Sequence, residues 1–221
     1  MSSEIADRIV YSSNLAAEDT VVEIGTGQGV LTGRIAQQCK TVRSYELDRR
    51  LYEKARTSLS QYQNIDLILG DAFQGEIEIP FDVCITNLPY SESLRFVKWL
   101  CARPQKFRLA VAMLQTEFTE KLLSPSGKDS YRAVSVIAQL SFNMEVLFSI
   151  GPEVFVPKPR VTSSVMRFKP KEDAVWPVID GHKIALMNSL FSFRGRRVSS
   201  ALQKIIGRDG VSTISKVLTF K

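Results

Sequence analysis

The stretch Thr20-Val21-Val22-Glu23-Ile24-Gly25-Thr26-Gly27-Gln28-Gly29 decides the fold. Its first half is a short apolar run, which predicts a buried strand, and its second half is a glycine-rich turn. Residues 30–39 follow with apolar side chains at helical spacing. A strand that passes through a glycine turn into a helix indicates the opening unit of an α/β sheet. Glycines in such a turn let the backbone approach a ligand.

Strands and helices continue to alternate along the chain. Further strands are predicted at 41–47, 65–69, 81–86 and 107–114, and a late antiparallel pair at 143–150 and 161–168. Helices are predicted at 48–60 and 91–101, with Asp48 and Ser91 as N-caps, and at 131–140 after a loop at 124–130. This alternation predicts an α/β fold, a mostly parallel, Rossmann-like sheet covered on both faces.

The last third of the chain differs from the rest. From Pro177 the pattern is helical, with breaks predicted at Gly195, Gly207 and Gly210. Residues 1–150 carry 16 Lys and Arg against 18 Asp and Glu, a net charge of −2, whereas residues 151–221 carry 13 against 5, a net charge of +8. A basic region of this kind is expected of a protein that neutralises phosphates, although basic surfaces often serve only solubility. We therefore predict a sheet domain over 1–170 and a small basic helical domain over 171–221.

Composition excludes several classes of protein. No run approaches the roughly 18 apolar residues that a membrane span needs, and Met1-Ser2-Ser3-Glu4 lacks the features of a signal peptide. Cys39, Cys84 and Cys101 lie far apart in apolar contexts, which predicts buried free thiols in a reducing cytoplasm. Together with the single His182 they make no plausible zinc site, so no metal is expected.

Acidic residues close the next two predicted strands after the glycine turn. Glu46 lies 21 positions after Gly25, the distance at which an acid hydrogen-bonds ribose hydroxyls in nucleotide-binding sheets. Asp71 can accept from an exocyclic amine, while Ala72 offers its backbone amide to a ring nitrogen. Since the spacing is G-x-G-x-G and no Walker lysine is present, S-adenosylmethionine fits these residues best. The alternative is a set of ordinary loop glycines and surface acids.

The fourth predicted strand is followed by Asn87-Leu88-Pro89-Tyr90. An amide, a proline and an aromatic in this position can hold a planar amine from one side and stack its ring from another. A base-modifying enzyme must do this once the base has left its stack. The alternative is a plain turn made by Pro89, with Tyr90 capping the core.

These segments and several later ones resemble the rRNA adenine N6-dimethyltransferase family. This family dimethylates adenines near the 3′ end of small-subunit rRNA and includes the macrolide-resistance methyltransferases of large-subunit rRNA. The resemblance extends from Glu4 to Leu202. Besides the glycine turn, Glu46, Gly70-Asp71-Ala72 and the tetrapeptide, it rests on Gln115-Thr116-Glu117-Phe118, Ser135-Val136, Phe155-Val156-Pro157-Lys158-Pro159-Arg160-Val161, Ser163-Ser164-Val165 and Arg194-Gly195-Arg196-Arg197.

The resemblance implies an S-adenosylmethionine-dependent methyltransferase that acts on the N6 amine of adenine in rRNA. The Asn87 side chain and the Leu88 carbonyl would accept hydrogen bonds from the amine, and Tyr90 and Phe155 would sandwich the ring; the alternative for Phe155 is a core residue. The residues implied are Asn87, Leu88, Pro89, Tyr90 and Phe155 for catalysis, Gly25, Thr26, Gly27, Gly29, Glu46, Leu47, Asp71, Ala72 and Asn87 for the cofactor, and Lys158, Arg160, Arg194, Arg196 and Arg197 for RNA.

The sequence departs from the family pattern at both ends. The family usually carries a Gln-(Asn/His)-Phe-Leu segment before its first helix, which this sequence lacks, and the C-terminal domain is shorter than usual. The missing N-terminal segment indicates either a short gene or a paralogue with altered activity, and it motivates a second hypothesis, a ribosome-assembly factor with a methyltransferase fold and reduced or lost turnover. The shorter C-terminal domain bears on substrate placement more than on chemistry. A third hypothesis is a methyltransferase for protein or free-base amines, against which the basic region around Arg194 and Arg197 argues. The expected partner is the small ribosomal subunit, and the expected state is a monomer.

Overall fold

A computed structural model describes residues 2–74, 80–103, 107–155, 158–159, 161–174 and 178–217, with side chains as far as Gly207. Within these ranges the strands are β1 (Thr20–Ile24), β2 (Thr41–Glu46), β3 (Ile65–Leu69), β4 (Val83–Thr86), β5 (Leu109–Gln115), β6 (Phe142–Ile150) and β7 (Ser163–Pro170). The helices are α1 (Ser3–Ser12), α2 (Val30–Ala36), α3 (Arg49–Ser58), α4 (Ser93–Cys101), α5 (Thr116–Leu123), α6 (Ala133–Ser141), α7 (Gly181–Ser192) and α8 (Val198–Val217).

The strands form one sheet in the order β3-β2-β1-β4-β5-β7-β6. The first five are parallel, whereas β7 runs antiparallel to both β5 and β6. The predicted sheet, mostly parallel with a late antiparallel pair, is confirmed. Ser163, the first residue of β7, pairs with Gln115 at the end of β5 and with Ile150 at the end of β6. The start of β7 therefore lies at the edge where the parallel strands end.

Both faces of the sheet are buried. Alternate residues of one strand point to opposite faces, so Val21 packs against α1 and α2 while Val22 packs against α4 and α6. The second face carries an aromatic cluster in which Phe168 meets the rings of Phe96 and Phe142 edge to face. Burial on two sides explains why the strands read as nearly continuous apolar runs.

The three cysteines are buried free thiols, as predicted. Burial raises the pKa of Cys39 to about 11 and that of Cys101 to about 12, so neither is a thiolate at neutral pH. Across the described ranges, no helix is both long and apolar enough to cross a membrane. The same ranges hold no group of three or more His, Cys, Asp or Glu side chains placed to bind a metal ion.

Several boundaries differ from the prediction. Asp48 caps α3 as expected, but Ser91 caps no helix: Tyr90–Glu92 form a 3-10 turn, and α4 begins two residues later. The Pro89 carbonyl accepts from the Glu92 amide at 2.9 Å and closes this tight turn. Helix α5 was not predicted, since Gln115 before it makes no side-chain cap and gives no start signal.

The C-terminal helices are anchored to the sheet domain. Helix α7 packs against α6, and α8 packs against α7. Ile179, just before α7, is fully buried in the same cluster as α4, and its amide donates to the Cys101 carbonyl at 3.0 Å. The breaks expected at Gly195 and Gly207 are present, with φ of 90° and 74°. The break expected at Gly210 is wrong, because the helical backbone continues through it.

Candidate active site

A cleft of about 570 Å³ opens at the edge of the sheet where the parallel strands end. The glycine turn and the ends of β2, β3 and β4 form one side of it, and Phe155 and Pro159 from the segment before β7 approach from the other. All the predicted catalytic and cofactor residues line this cleft except Thr26 and Gly29. The fold thus collects side chains from Gly25 to Phe155 into one site.

The glycine turn touches the tetrapeptide directly. Gly25 has a φ of 87°, and a Cβ on it would lie 3.2 Å from Leu88 Cδ2. Its amide donates to the Tyr45 carbonyl at 2.8 Å, which fixes the turn against β2. Gly29 does not line the cleft: it precedes α2 and packs against Leu59, where a Cβ would come within 2.9 Å. This packing explains why a glycine stands at the third position of the motif.

Glu46 ties the turn to the end of β2. Its Oε2 accepts from the Gly27 amide at 2.8 Å, and its Oε1 accepts from the Asp48 amide at 2.9 Å. A carboxylate oxygen has two acceptor sites, so each still has capacity for a ligand hydroxyl. Leu47 beside it is 69% exposed at the cleft and offers an apolar surface to a ring.

A buried acid lies beneath the turn. The Ser44 hydroxyl donates to Glu23 Oε2 at 2.6 Å, as does the Thr32 hydroxyl. The Thr26 and Ser44 hydroxyls are also 2.6 Å apart, so Thr26 donates to Ser44 and its side chain faces the sheet instead of the cleft. The other Glu23 oxygen is buried with no hydrogen-bond partner among the described residues. Sequence reasoning missed this chain, because Glu23 reads as one polar residue within a buried strand.

The environment of Glu23 favours its neutral form. Desolvation by burial raises its pKa to about 7, with a smaller contribution from the charge of Glu46, while hydrogen bonds from Ser44 and Thr32 lower it. A carboxyl that is neutral when folded and charged when unfolded links folding to proton uptake.

The Asn87–Tyr90 loop is fixed at both of its ends. Before it, the Thr86 hydroxyl donates to the Ile24 carbonyl at 2.6 Å and joins β4 to β1. At its end, a hydrogen bond of 2.6 Å joins Tyr90 Oη to Ser163 Oγ on β7. Pro89 makes the turn that the alternative interpretation required, but Asn87 and Tyr90 line the cleft, as the functional interpretation required.

Arg95 connects Asp71, after β3, to Glu92, just after this loop, and sequence reasoning did not single it out. It pairs with Asp71 at 2.7 Å and with Glu92 at 3.4 Å, and its guanidinium lies 4.7 Å from the centre of the Phe73 ring. The second Asp71 oxygen accepts from the Phe73 amide at 2.9 Å. The only signal in the sequence is the i,i+3 spacing of Glu92 and Arg95, which is common on helix surfaces.

The predicted RNA-binding residues have different surroundings. Lys158 is exposed beside Pro159 at the cleft, and Arg160 lies outside the described residues. Arg194 donates to the carbonyls of Lys128 and Asp129 at 2.6 and 2.8 Å, so it ties the end of α7 to the 124–130 loop. Arg196 and Arg197 are exposed just before α8, as a phosphate-binding surface requires.

Comparison with known proteins decides the family. The model of the family described as ribosomal RNA adenine dimethylase matches residues 1–219. The chain belongs to this family. A probable ribosomal RNA small subunit methyltransferase A of Pyrococcus abyssi is 31% identical over 98% of this chain and 78% of its own length. A probable methyltransferase of the same name from Methanococcus aeolicus is 32% identical over 90% of this chain and 73% of its own length.

The family is also evident in three dimensions. A crystal structure of a dimethyladenosine transferase from Plasmodium falciparum matches with a TM-score of 0.81 at 26% identity, covering 96% of this chain and 76% of that one. The predicted Rossmann-like methyltransferase sheet is therefore confirmed. The family does not by itself assign roles to the residues of this chain, which rest on the geometry of the cleft.

Replacing Glu23 by Gln should remove a pH dependence of stability. Because the folded pKa of Glu23 is raised from 4.5 to about 7, its stabilising contribution is fully present below the unfolded pKa and is lost as pH rises through the folded pKa. The parent should lose on the order of 3 kcal/mol of unfolding free energy between about pH 5 and about pH 8 from this group, and Glu23→Gln should lose much less.

Urea denaturation across this pH range measures the unfolding free energy of both proteins. Glu53→Gln on α3, an exposed position, is the control and should follow the parent. A Glu23→Gln profile parallel to the parent would contradict the assignment.

Proposed function

We propose that this protein transfers methyl groups from S-adenosylmethionine to the N6 amine of adenines in rRNA, and that it dimethylates adenines near the 3′ end of small-subunit rRNA. One observation carries the proposal: in a chain of this family, the Asn87–Tyr90 loop and Phe155 share a single cleft with the glycine turn. We further propose that it acts as a monomer in the cytoplasm, with the small ribosomal subunit as its partner.

The residues of the cleft fit S-adenosylmethionine. Gly25 and Gly27 give a ligand access to the backbone, and Glu46 retains acceptor capacity for ribose hydroxyls. Asp71, Ala72 and the exposed Leu47 would hold the adenine ring of the cofactor. When bound, the cofactor supplies a methyl group already activated by a sulfonium, so alignment of the acceptor can provide much of the remaining acceleration.

The target amine needs specific help from the protein. The lone pair of an adenine N6 amine is delocalised into the ring, which makes it a poor nucleophile. Acceptors at the Asn87 side chain and the Leu88 carbonyl favour a pyramidal nitrogen, so they act preferentially on the transition state. The ammonium formed can then lose its proton to water. Stacking on Tyr90 and Phe155 would contribute about 1–3 kcal/mol per contact toward holding the base out of its stack.

The direct test measures methyl transfer to ribosomal subunits. Undermethylated small subunits are incubated with labelled S-adenosylmethionine, and nucleosides are analysed by mass spectrometry. We expect label in N6-methylated adenosines. An Asn87→Ala variant should be at least about 100-fold slower, because the target amine loses a hydrogen-bond acceptor that acts mainly on the transition state. A parent that binds the cofactor and the subunits but adds no label would contradict the proposal and support the assembly-factor hypothesis.

Phe155 should act on RNA turnover and not on the cofactor. It is half-buried, lining the cleft on one side and packing against the core cluster of α1 and α2 on the other. Phe155→Ala should lower turnover about 10-fold or more through the loss of stacking, with the cofactor Kd unchanged within about twofold. Val154→Ala, an exposed neighbour, is the control. Comparable losses of turnover and cofactor affinity would identify Phe155 as a core residue.

Arg196 and Arg197 should contribute to binding through phosphates. Each phosphate that a cationic side chain neutralises adds about 0.7–0.9 to the slope of log affinity against log salt, so the double Ala variant should flatten this slope by about 1.5. A Lys40→Ala, Arg56→Ala variant removes the same charge from other exposed positions and should keep the parent slope. An unchanged slope in the Arg196, Arg197 variant would identify these side chains as a solvated helix face.

A further inference from the structure

Ser163 is a fully buried hydroxyl whose partner lies in the cleft. Its Oγ is 2.6 Å from Tyr90 Oη, across a separation of 73 residues. Tyr90 is half-buried and lines the cleft, whereas Ser163 does not line it. Ser163 therefore holds the Tyr90 ring by its hydroxyl, from a buried position outside the lining of the cleft.

The backbones of the two partners are paired very differently. Ser163 is paired on both sides, to Gln115 of β5 and to Ile150 of β6. Tyr90 begins a 3-10 turn that has no side-chain cap. A single 3-10 turn has fewer and poorer backbone hydrogen bonds than a strand paired on both sides, and the Ser163 bond adds a restraint at the hydroxyl end of the Tyr90 ring. We therefore expect Ser163 to fix the position of the Tyr90 ring, and not the reverse.

The same strand also carries the segment that bears Phe155. β7 follows directly from the segment that places Phe155 and Pro159 in the cleft. The amide of Thr116 donates to the Thr162 carbonyl at 3.0 Å, which fixes the end of that segment to the start of α5. Tyr90 is therefore bonded to the first residue of β7, and the residue just before that strand is fixed to α5.

On the basis of the proposed function, we propose that Ser163 is a positioning residue for methyl transfer, which holds the Tyr90 ring in the orientation that receives the target adenine. Ser163 contacts neither substrate nor cofactor in this role. Its hydroxyl fixes the far end of the Tyr90 ring. Loss of this hydroxyl would let the ring leave its orientation, which would slow the transfer step more than it would weaken cofactor binding.

Ser164 provides a matched control. It is the next residue of β7, is equally buried, and hydrogen-bonds to the hydroxyls of Thr116 at 2.9 Å and Ser149 at 3.4 Å. It does not line the cleft. Ser164→Ala therefore removes a buried hydroxyl of the same strand without touching the Tyr90 ring.

The first experiment reports on the ring itself. The protein is labelled with ¹³C in its tyrosine rings, and the Tyr90 resonance is identified as the one missing from Tyr90→Phe. We expect Ser163→Ala to shift this resonance and change its linewidth, and Ser164→Ala to leave it in place. A Tyr90 resonance that does not change in Ser163→Ala would overturn the proposal, whatever the activity of the protein.

The second experiment is a double-mutant cycle in the transfer assay with small subunits. Ser163→Ala and Tyr90→Phe should each lower kcat about tenfold, with the cofactor Kd unchanged, and the double variant should be no slower than either. Ser164→Ala should keep the parent kcat. Additive losses, or a parent-like kcat in folded Ser163→Ala, would overturn the proposal. A parent without transfer would overturn the proposed function instead, and the Tyr90 resonance would still decide whether Ser163 holds the ring.

Discussion

The close approach of Gly25 to Leu88 is the constraint on which the site depends. A Cβ on Gly25 would lie 3.2 Å from Leu88 Cδ2, so the backbone of the glycine turn lies directly against the tetrapeptide. Thr86 reinforces this contact by bonding to the Ile24 carbonyl between the same two strands. Any separation of β1 from β4 would move the glycine turn away from the tetrapeptide, and the proposed methyl transfer depends on the alignment of these two segments.

The turn is supported from below by fully buried polar groups. Glu23 lies on β1 and accepts hydrogen bonds from the hydroxyls of Ser44 on β2 and Thr32 on α2, so its carboxyl joins three elements. Keeping an acid there raises its pKa and leaves one oxygen unpaired among the described residues, which costs stability. Through Ser44, the same carboxyl fixes the Thr26 hydroxyl within the turn. A rigid support of this kind holds a functional loop more closely than packing alone.

Local signals predicted the fold well. The apolar run of β3 and the N-cap at Asp48 are both where the sequence placed them, because each depends on a few adjacent residues. The predicted N-cap at Ser91 is wrong because a 3-10 turn precedes α4, and α5 has no local start signal because Gln115 offers no side-chain cap. Strand ends were the least certain, since pairing with neighbours decides where a strand begins.

The sequence alone determined the order of elements, the glycine turn, the acids at strand ends and the tetrapeptide, because these are properties of short segments. Only the tertiary structure decided how they are connected. The bond from Tyr90 to Ser163 spans 73 positions, and the ion pair from Arg95 to Asp71 spans 24. Ser163 reaches the site because β7 runs antiparallel and starts where the parallel strands end. Strand order and direction arise from packing of the whole chain, so no local pattern could reveal these partners.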